Sequence, residues 1–141
     1  MPERAFRLEI VTPERVVFSS DRVVSLIAPG VEGYFGIMAN RAPIVSQLDI
    51  GVLQYRTADG HWEYVAVGGG FLEAAHNRVI VLAETAELSH EIDVQRAQEA
   101  KDRALHRLAS GGPNVDIERA QAALRRALAR LDAAQRRESH A

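Results

Sequence analysis

All eight aromatic residues of this 141-residue chain lie before residue 72, and residues 89–141 contain none. The same divide separates 8 of the 10 glycines and 4 of the 5 prolines from a tail crowded with Ala, Leu and Arg. Aromatic and β-branched residues fit a pleated, half-buried surface, whereas Ala, Leu and Arg lose little rotamer freedom in a helix. A chain so divided does not fold as one uniform layer. It predicts a β domain over residues 1–88 and a helical domain over residues 89–141, with the boundary near Leu88–Glu91. Charge divides with it: residues 1–88 carry 7 Arg against 11 Asp and Glu, and residues 89–141 carry 9 Arg and 1 Lys against 8.

In the first part Phe6, Leu8 and Ile10 alternate with polar residues, and Val16–Phe18 and Val23–Ala28 are short β-branched runs. Gly51–Thr57 and Trp62–Val67 flank Asp59-Gly60, a dipeptide that supplies positive φ angles to a tight hairpin. Phe71–Ala74 and Arg78–Leu82 flank a second turn at His76-Asn77. Short strands punctuated in this way predict a sandwich or flattened barrel. Gly68-Gly69-Gly70 is followed by neither Lys-Ser/Thr nor a helix, so it reads as a bulge or close strand crossing rather than a phosphate loop.

The second part predicts two helices, Ile92–Ala109 and Asp116 to about Arg136, separated by the stop Ser110-Gly111-Gly112-Pro113-Asn114. Ile117, Ala120, Leu124, Ala127, Leu128, Leu131 and Ala134 mark one apolar stripe on the second helix. So short a link makes the helices antiparallel neighbours. Alone, such a hairpin buries little apolar surface, so it depends on the β domain, a partner or a ligand.

Arg96, Arg103 and Arg107 fall on one face of the first helix, and Arg119, Arg126, Arg130 and Arg137 repeat that spacing on the second. Two readings fit: a polyanion bridging the two faces through bidentate guanidinium contacts, or solvated faces with i,i+4 partners such as Glu99–Arg103. Glu84, Glu87, Glu91 and Asp93 cluster at the junction, where they would complement a helix N-terminus.

Several functions are excluded or weakened. A chain without cysteine makes no disulfide or thiolate metal site. His61, His76, His90, His106 and His140 share no ligand spacing, and Ser19, Ser20, Ser25 and Ser46 sit in no nucleophile motif, so no enzyme is predicted. No apolar run approaches the roughly 18 residues of a membrane span, and the polar opening Met1-Pro2-Glu3-Arg4 is unlike a secretory signal. A net charge of −2 argues against general nucleic-acid binding, and the helical part lacks aromatics to stack on bases.

Three segments, taken in order, resemble the ε subunit of bacterial F-type ATP synthase. The stretch from Gly33-Tyr34-Phe35-Gly36-Ile37 through Asn40-Arg41-Ala42-Pro43 to Val45 is similar to that family's GELGILPGHAPLV. Val67-Gly68-Gly69-Gly70-Phe71-Leu72-Glu73, followed by Val79-Ile80-Val81-Leu82-Ala83-Glu84-Thr85-Ala86-Glu87, is similar to VSGGFLE and VTVLADTAE. Ile92-Asp93-Val94-Gln95-Arg96-Ala97 matches I/L-D-x-x-R-A, and the opening Val11-Thr12-Pro13 also fits. The resemblance covers nearly the whole chain.

It implies a β + α, two-domain fold: a β-sandwich of about ten strands, then an antiparallel helical hairpin. It also implies a non-catalytic rotor subunit on the cytoplasmic face of a bacterial membrane, associated with the membrane only through its complex. The implied partners are the γ subunit, the ring of c subunits and, with the hairpin extended, the α3β3 head, where the hairpin restrains ATP hydrolysis. No cofactor is required; ATP is the implied regulatory ligand of a folded hairpin. Residue by residue, that site carries over to Glu87, Ile92, Asp93, Arg96, Ala97, Arg103, Arg126 and Arg130, with Asp93 and Arg96 toward adenine and ribose and the later arginines toward phosphates. The chain departs from the family at Tyr34, usually an acid, and at Arg41, often a histidine; both fall where partner contacts are implied. The competing reading is a free-standing nucleotide or polyanion sensor of the same architecture.

Overall fold

The computed structural model describes the backbone of residues 4–139 and side chains as far as Arg137; Met1, Pro2, Glu3 and His140, named above, lie outside the described residues. Among the described residues seven strands come first: β1 (Phe6–Val11), β2 (Val16–Gly30), β3 (Gly33–Ile37), β4 (Ile44–Thr57), β5 (Trp62–Ala75), β6 (Arg78–Ala83) and β7 (Ala86–Leu88). A 3-10 turn at Ser89–Glu91 leads to α1 (Val94–Ser110) and α2 (Ile117–Ser139).

The expected ten-stranded sandwich is a seven-stranded sheet that closes on itself. Its order is β1-β6-β5-β4-β2-β3, and β1 also pairs with β2, completing a barrel-like ring. The count differs because β2, β4 and β5 run 15, 14 and 14 residues and serve two neighbourhoods each. The first half of β2 pairs with β1, and its second half lies between β3 and β4. β5 pairs with β7 before its glycines and with β6 from Gly70 onward. Strands this long must bend to close a small barrel, and bulges supply the bend; β2 is irregular between Val23 and Ser25 and between Ile27 and Gly30.

The triple glycine is the corresponding device in β5. Gly69 and Gly70 hold φ of 94° and 139°, and a Cβ on Gly70 would collide with the Leu82 carbonyl of β6. The second expected turn is also present, with His76 and Asn77 both in the left-handed region at φ 53° and 60°. At the first turn only Gly60 is left-handed (φ 91°), because the connection from Thr57 to Trp62 is longer than a two-residue hairpin. The barrel core runs from Phe6, Leu8 and Ile10 through Leu26, Leu53 and Val65 to Val79 and Val81, all buried.

Asp93 caps α1, its Oδ1 accepting from Arg96 N at 3.1 Å, and Gly111 ends the helix at φ 51°. Asp116 does the same for α2 through Arg119 N at 3.1 Å. The helices start one or two residues later than expected, since capping residues stand outside the helix they cap. The hairpin lies against the barrel, with α2 on β4 and β5 and α1 packed on α2.

The single apolar stripe expected of α2 is instead two faces. Ala129 and Ala133 are buried against Val52, Tyr64 and Ala66 of the barrel. Ala120, Ala127 and Ala134, also buried, recur every seven residues and fall roughly opposite on a 3.6-residue helix, the side that meets Ala97 and Ala104 of α1. Ile117 and Leu128, assigned to the stripe, stay 44% and 43% exposed, because at 3.6 residues per turn both fall about a quarter turn off the line of Ala120, Ala127 and Ala134 and farther still from Ala129 and Ala133.

Candidate functional site

Glu87, Asp93, Arg96, Ala97, Arg103 and Arg130 line one cleft of about 270 Å³, together with Glu91 and Ala100. Three elements meet there. The strand-to-helix junction supplies Glu87, Glu91 and Asp93; α1 supplies Arg96, Ala97, Ala100 and Arg103 at spacings of three and four; α2 contributes Arg130. Arg126 stands one helical turn before Arg130 and with it lines an adjoining recess against Gly68, Thr85 and Glu87. A Cβ on Gly68 would collide with Thr85 Oγ1 and approach Arg126 Cδ at 3.6 Å. The first glycine of the triplet therefore makes room for this corner.

Ile92 is the exception among the expected ligand residues. Its side chain packs on the Val52, Tyr64, Ala66, Ala129 and Ala133 cluster, where it closes the junction between the domains.

The cleft is bipolar. Arg130 Nε donates to Glu87 Oε1 at 2.7 Å, and both side chains are about one-third exposed. Such charge-assisted bonds are short and strong relative to neutral ones. Glu91 Oε1 accepts from Arg15 of the β1–β2 turn at 3.1 Å, and that guanidinium holds the Glu91 carboxyl below its ordinary range. Of the junction acids expected to complement a helix end, only Asp93 does so; Glu87 and Glu91 are engaged by arginines from elsewhere in the chain. Among the described residues, Arg96, Arg103 and Arg126 make no salt bridge. The expected Glu99–Arg103 pair is absent: Glu99 accepts from Gln95 at 3.4 Å, leaving Arg103 to the cleft. Three guanidiniums without a salt bridge and a fourth held by one carboxylate are a donor set that could hold a polyvalent anion. Ala97 and Ala100 leave the wall between them low enough for a flat group.

Tyr34 and Arg41 lie elsewhere. Tyr34 on β3 is 61% exposed, yet its hydroxyl accepts from Val52 N at 3.3 Å. Arg41 is exposed on the β3–β4 loop near Asn40 and Asn77, where Asn77 Oδ1 accepts from Asn40 N at 2.8 Å. Sequence reasoning missed Ala100, Thr85 and the room made by Gly68. Ala100 was legible, three residues after Ala97 on the face of Arg96 and Arg103. Thr85 and Gly68 depend on how two strands cross, which has no local signature.

The family model described as the ATP synthase, Delta/Epsilon chain, beta-sandwich domain matches residues 5–89, and the long alpha-helix domain of the same chain matches residues 90–135. The chain is 52% identical over 108 residues to an ATP synthase epsilon chain of Syntrophomonas wolfei, covering 77% of this chain and 78% of that one. It is 53% identical over 107 residues to the same chain of Carboxydothermus hydrogenoformans, covering 76% and 78%. Its fold is also that of a chain in the Euglena gracilis mitochondrial ATP synthase, OSCP/F1/c-ring in rotational state 1: TM-score 0.80, 22% identity, 96% of this chain and 84% of that one. A chain in the Tetrahymena thermophila mitochondrial ATP synthase central stalk and c-ring gives TM-score 0.60 at 14% identity over 97% and 98%. The two consecutive domain matches and the relatives above half identity agree, and the chain belongs to the family of ATP synthase epsilon chains.

Proposed function

We propose that this chain is a non-catalytic rotor subunit of an ATP synthase, and that its helical hairpin is a nucleotide-responsive restraint on ATP hydrolysis. The observation that carries the nucleotide reading is the cleft: six of the eight residues carried over from the family line it, a seventh borders it, and the eighth, Ile92, packs at the junction beside it. Arg103, Arg126 and Arg130 answer to phosphates, and Ala97 and Ala100 to the flat base. ATP held there bridges α1 and α2 to the junction, so it stabilises the hairpin folded onto the barrel. Without it the hairpin is free to leave and meet the catalytic head of the complex, with γ and the c ring on the barrel. An apolar patch supports barrel docking: Val45, Phe71 and Leu82 project from one face of β4, β5 and β6 and are 71%, 54% and 56% exposed. Operation at the cytoplasmic face of a bacterial membrane, through the complex rather than by a span, follows from that role.

Calorimetry of the full chain with ATP, with GTP as the base control, tests the site. A hydrogen bond to a charged group contributes about 1.5–3 kcal/mol, so Arg126→Ala and Arg130→Ala should each weaken ATP roughly ten- to a hundredfold. Arg137→Ala, outside the cleft, should not. Deleting residues 89–141 should raise hydrolysis by the assembled enzyme while synthesis survives. A wild-type chain that ignores millimolar ATP refutes the nucleotide reading; unchanged hydrolysis on deletion refutes the restraint.

A further inference from the structure

The flank of α2 opposite the cleft carries its own polar row. Arg125 and Arg136, three turns apart, both reach β4. Arg125 Nη2 lies 2.8 Å from Asp49 Oδ1 and 3.5 Å from the Ile50 carbonyl. Arg136 Nη1 donates to Gln54 Oε1 at 3.1 Å, and its guanidinium lies 5.9 Å from the centre of the Tyr64 ring. Arg136 is also held within its helix by Asp132 at 3.0 Å. The Arg125–Asp49 pair is therefore the one salt bridge on this flank, among the described residues, that joins helix to barrel.

Asp49 is itself fixed. The same Oδ1 accepts from Ile50 N at 2.8 Å. The following residues are braced from within the barrel, where Tyr34 binds Val52 N and a Cβ on Gly51 would meet Pro29 and the Tyr34 hydroxyl, each at 2.9 Å. A flexible cation thus closes on a prepositioned anion, and the ordering entropy falls mostly on one side chain. Both partners remain accessible to water, at 51% and 39%, so the contact is weak, reversible and screened by salt.

We propose that Arg125 and Asp49 form a latch that keeps the hairpin docked from the side away from the cleft, which makes Arg125 a positioning residue for nucleotide affinity that does not touch the nucleotide. This rests on the nucleotide reading of the cleft for its functional consequence, though not for the docking itself. The cleft exists only while α2 is docked, because Arg130 and Arg126 come from α2 and Glu87 from the barrel. Apparent affinity then scales with the docked fraction. The latch sets that fraction before any ligand arrives.

The test uses the full chain. As it has no cysteine, Glu63→Cys and Ala109→Cys supply two unique dye sites on β5 and the far end of α1, and their distance reports docking without nucleotide. Asp49→Asn and Arg125→Gln should each lower the docked-to-open ratio about two- to fivefold, the range of an exposed ion pair. The double variant should fall no further, and high salt should bring the wild type down to the same ratio. The exchange Asp49→Arg with Arg125→Asp should recover much of the loss, which a merely structural role for either residue would not allow. ATP titration should show weaker apparent binding in the single variants and saturate at the same docked distance. An unchanged ratio, or losses that add in the double variant, overturns the latch even if ATP binds normally. If the substitutions lower docking but the wild-type chain does not bind ATP, the latch stands while the part of Arg125 in affinity, and with it the nucleotide reading, is overturned.

Discussion

Replacing Ala133 by leucine tests whether the hairpin is held by a contact that can be broken without harming either domain. Ala133 is 0% exposed and faces Val52, Tyr64 and Ala66 beside Ala129. Leucine adds three carbons where no space exists, and overpacking of this kind costs about 1–3 kcal/mol. Leucine is nearly as good a helix former as alanine, so the penalty falls on docking and not on α2. The α1–α2 seam through Ala120, Ala127 and Ala134 lies on the opposite face and stays intact. The docked-to-open ratio should therefore drop by roughly 5- to 150-fold, with helical content by circular dichroism unchanged and barrel melting nearly so. Hydrogen exchange should show amides of α2 losing protection together while those of β4 and β5 keep theirs. If α2 stays as protected as in the wild type, docking does not depend on this face. If the barrel melts with it, hairpin and barrel are one cooperative unit and no independent switch exists.

Other outcomes follow from the same geometry. Gly70→Ala should destabilise the barrel by about 1–3 kcal/mol or more, since φ of 139° strains any side chain and the Cβ meets the Leu82 carbonyl; a thermal melt within a degree of wild type would refute the crossing. Residues 1–88 alone should fold to a soluble, β-rich domain, because the main core cluster is drawn entirely from Phe6 to Ala86; an aggregated or molten fragment would refute that. Acid should undock the hairpin before it unfolds the barrel core. Hydrogen bonds from Arg125 and Arg15 hold the Asp49 and Glu91 carboxyls below their ordinary range. Their stabilisation is therefore complete above the unfolded-state carboxylate pKa and disappears as pH falls through the lower folded values. Dye distance against pH, with Asp49→Asn flattening part of the transition, checks this.

The turns and the domain break were legible because each has a local chemical cause: Gly60, His76 and Asn77 tolerate positive φ, and aromatics stop where helix formers begin. Strand lengths were less so. The three glycines of β5 read as a bulge or close strand crossing, and they are one, but the runs on either side, Trp62–Val67 and Phe71–Ala74, belong to a single strand that stays paired with β4 at Gly68 and Gly70; β2 likewise runs past Ala28 and pairs with β3 at Pro29. Closing a small barrel favours kinked continuous strands over separate ones, and closure is not a local property. The docking face of α2 was hidden for a different reason. Alanines occur all around that helix, so the larger residues dominated the apolar period while the smaller ones made the contacts. In the cleft, Arg96 and Arg103 share a face by spacing, Ala97 came with the family resemblance, and Arg107, placed on the same face by spacing, lies outside it beside Asp116 and Arg119. The burial of Ile92 and the recess at Arg126 depend on how the hairpin sits against the barrel.

The attachment of the hairpin has a mechanical consequence. The chain enters α1 at Ile92, beside Ala129 and Ala133, so the pivot lies near the second half of α2. The turn at residues 111–116 stands at the other end, free of the barrel's main cluster. A force lifting that turn acts on a long arm and loads the contacts one at a time, Arg125–Asp49 first, then Ala129, then Ala133, and Arg136 last. Contacts peeled in sequence yield at lower force than the same contacts sheared together. Torque along the helix axes would meet all of them at once. The hairpin is therefore compliant in one direction and stiff in another.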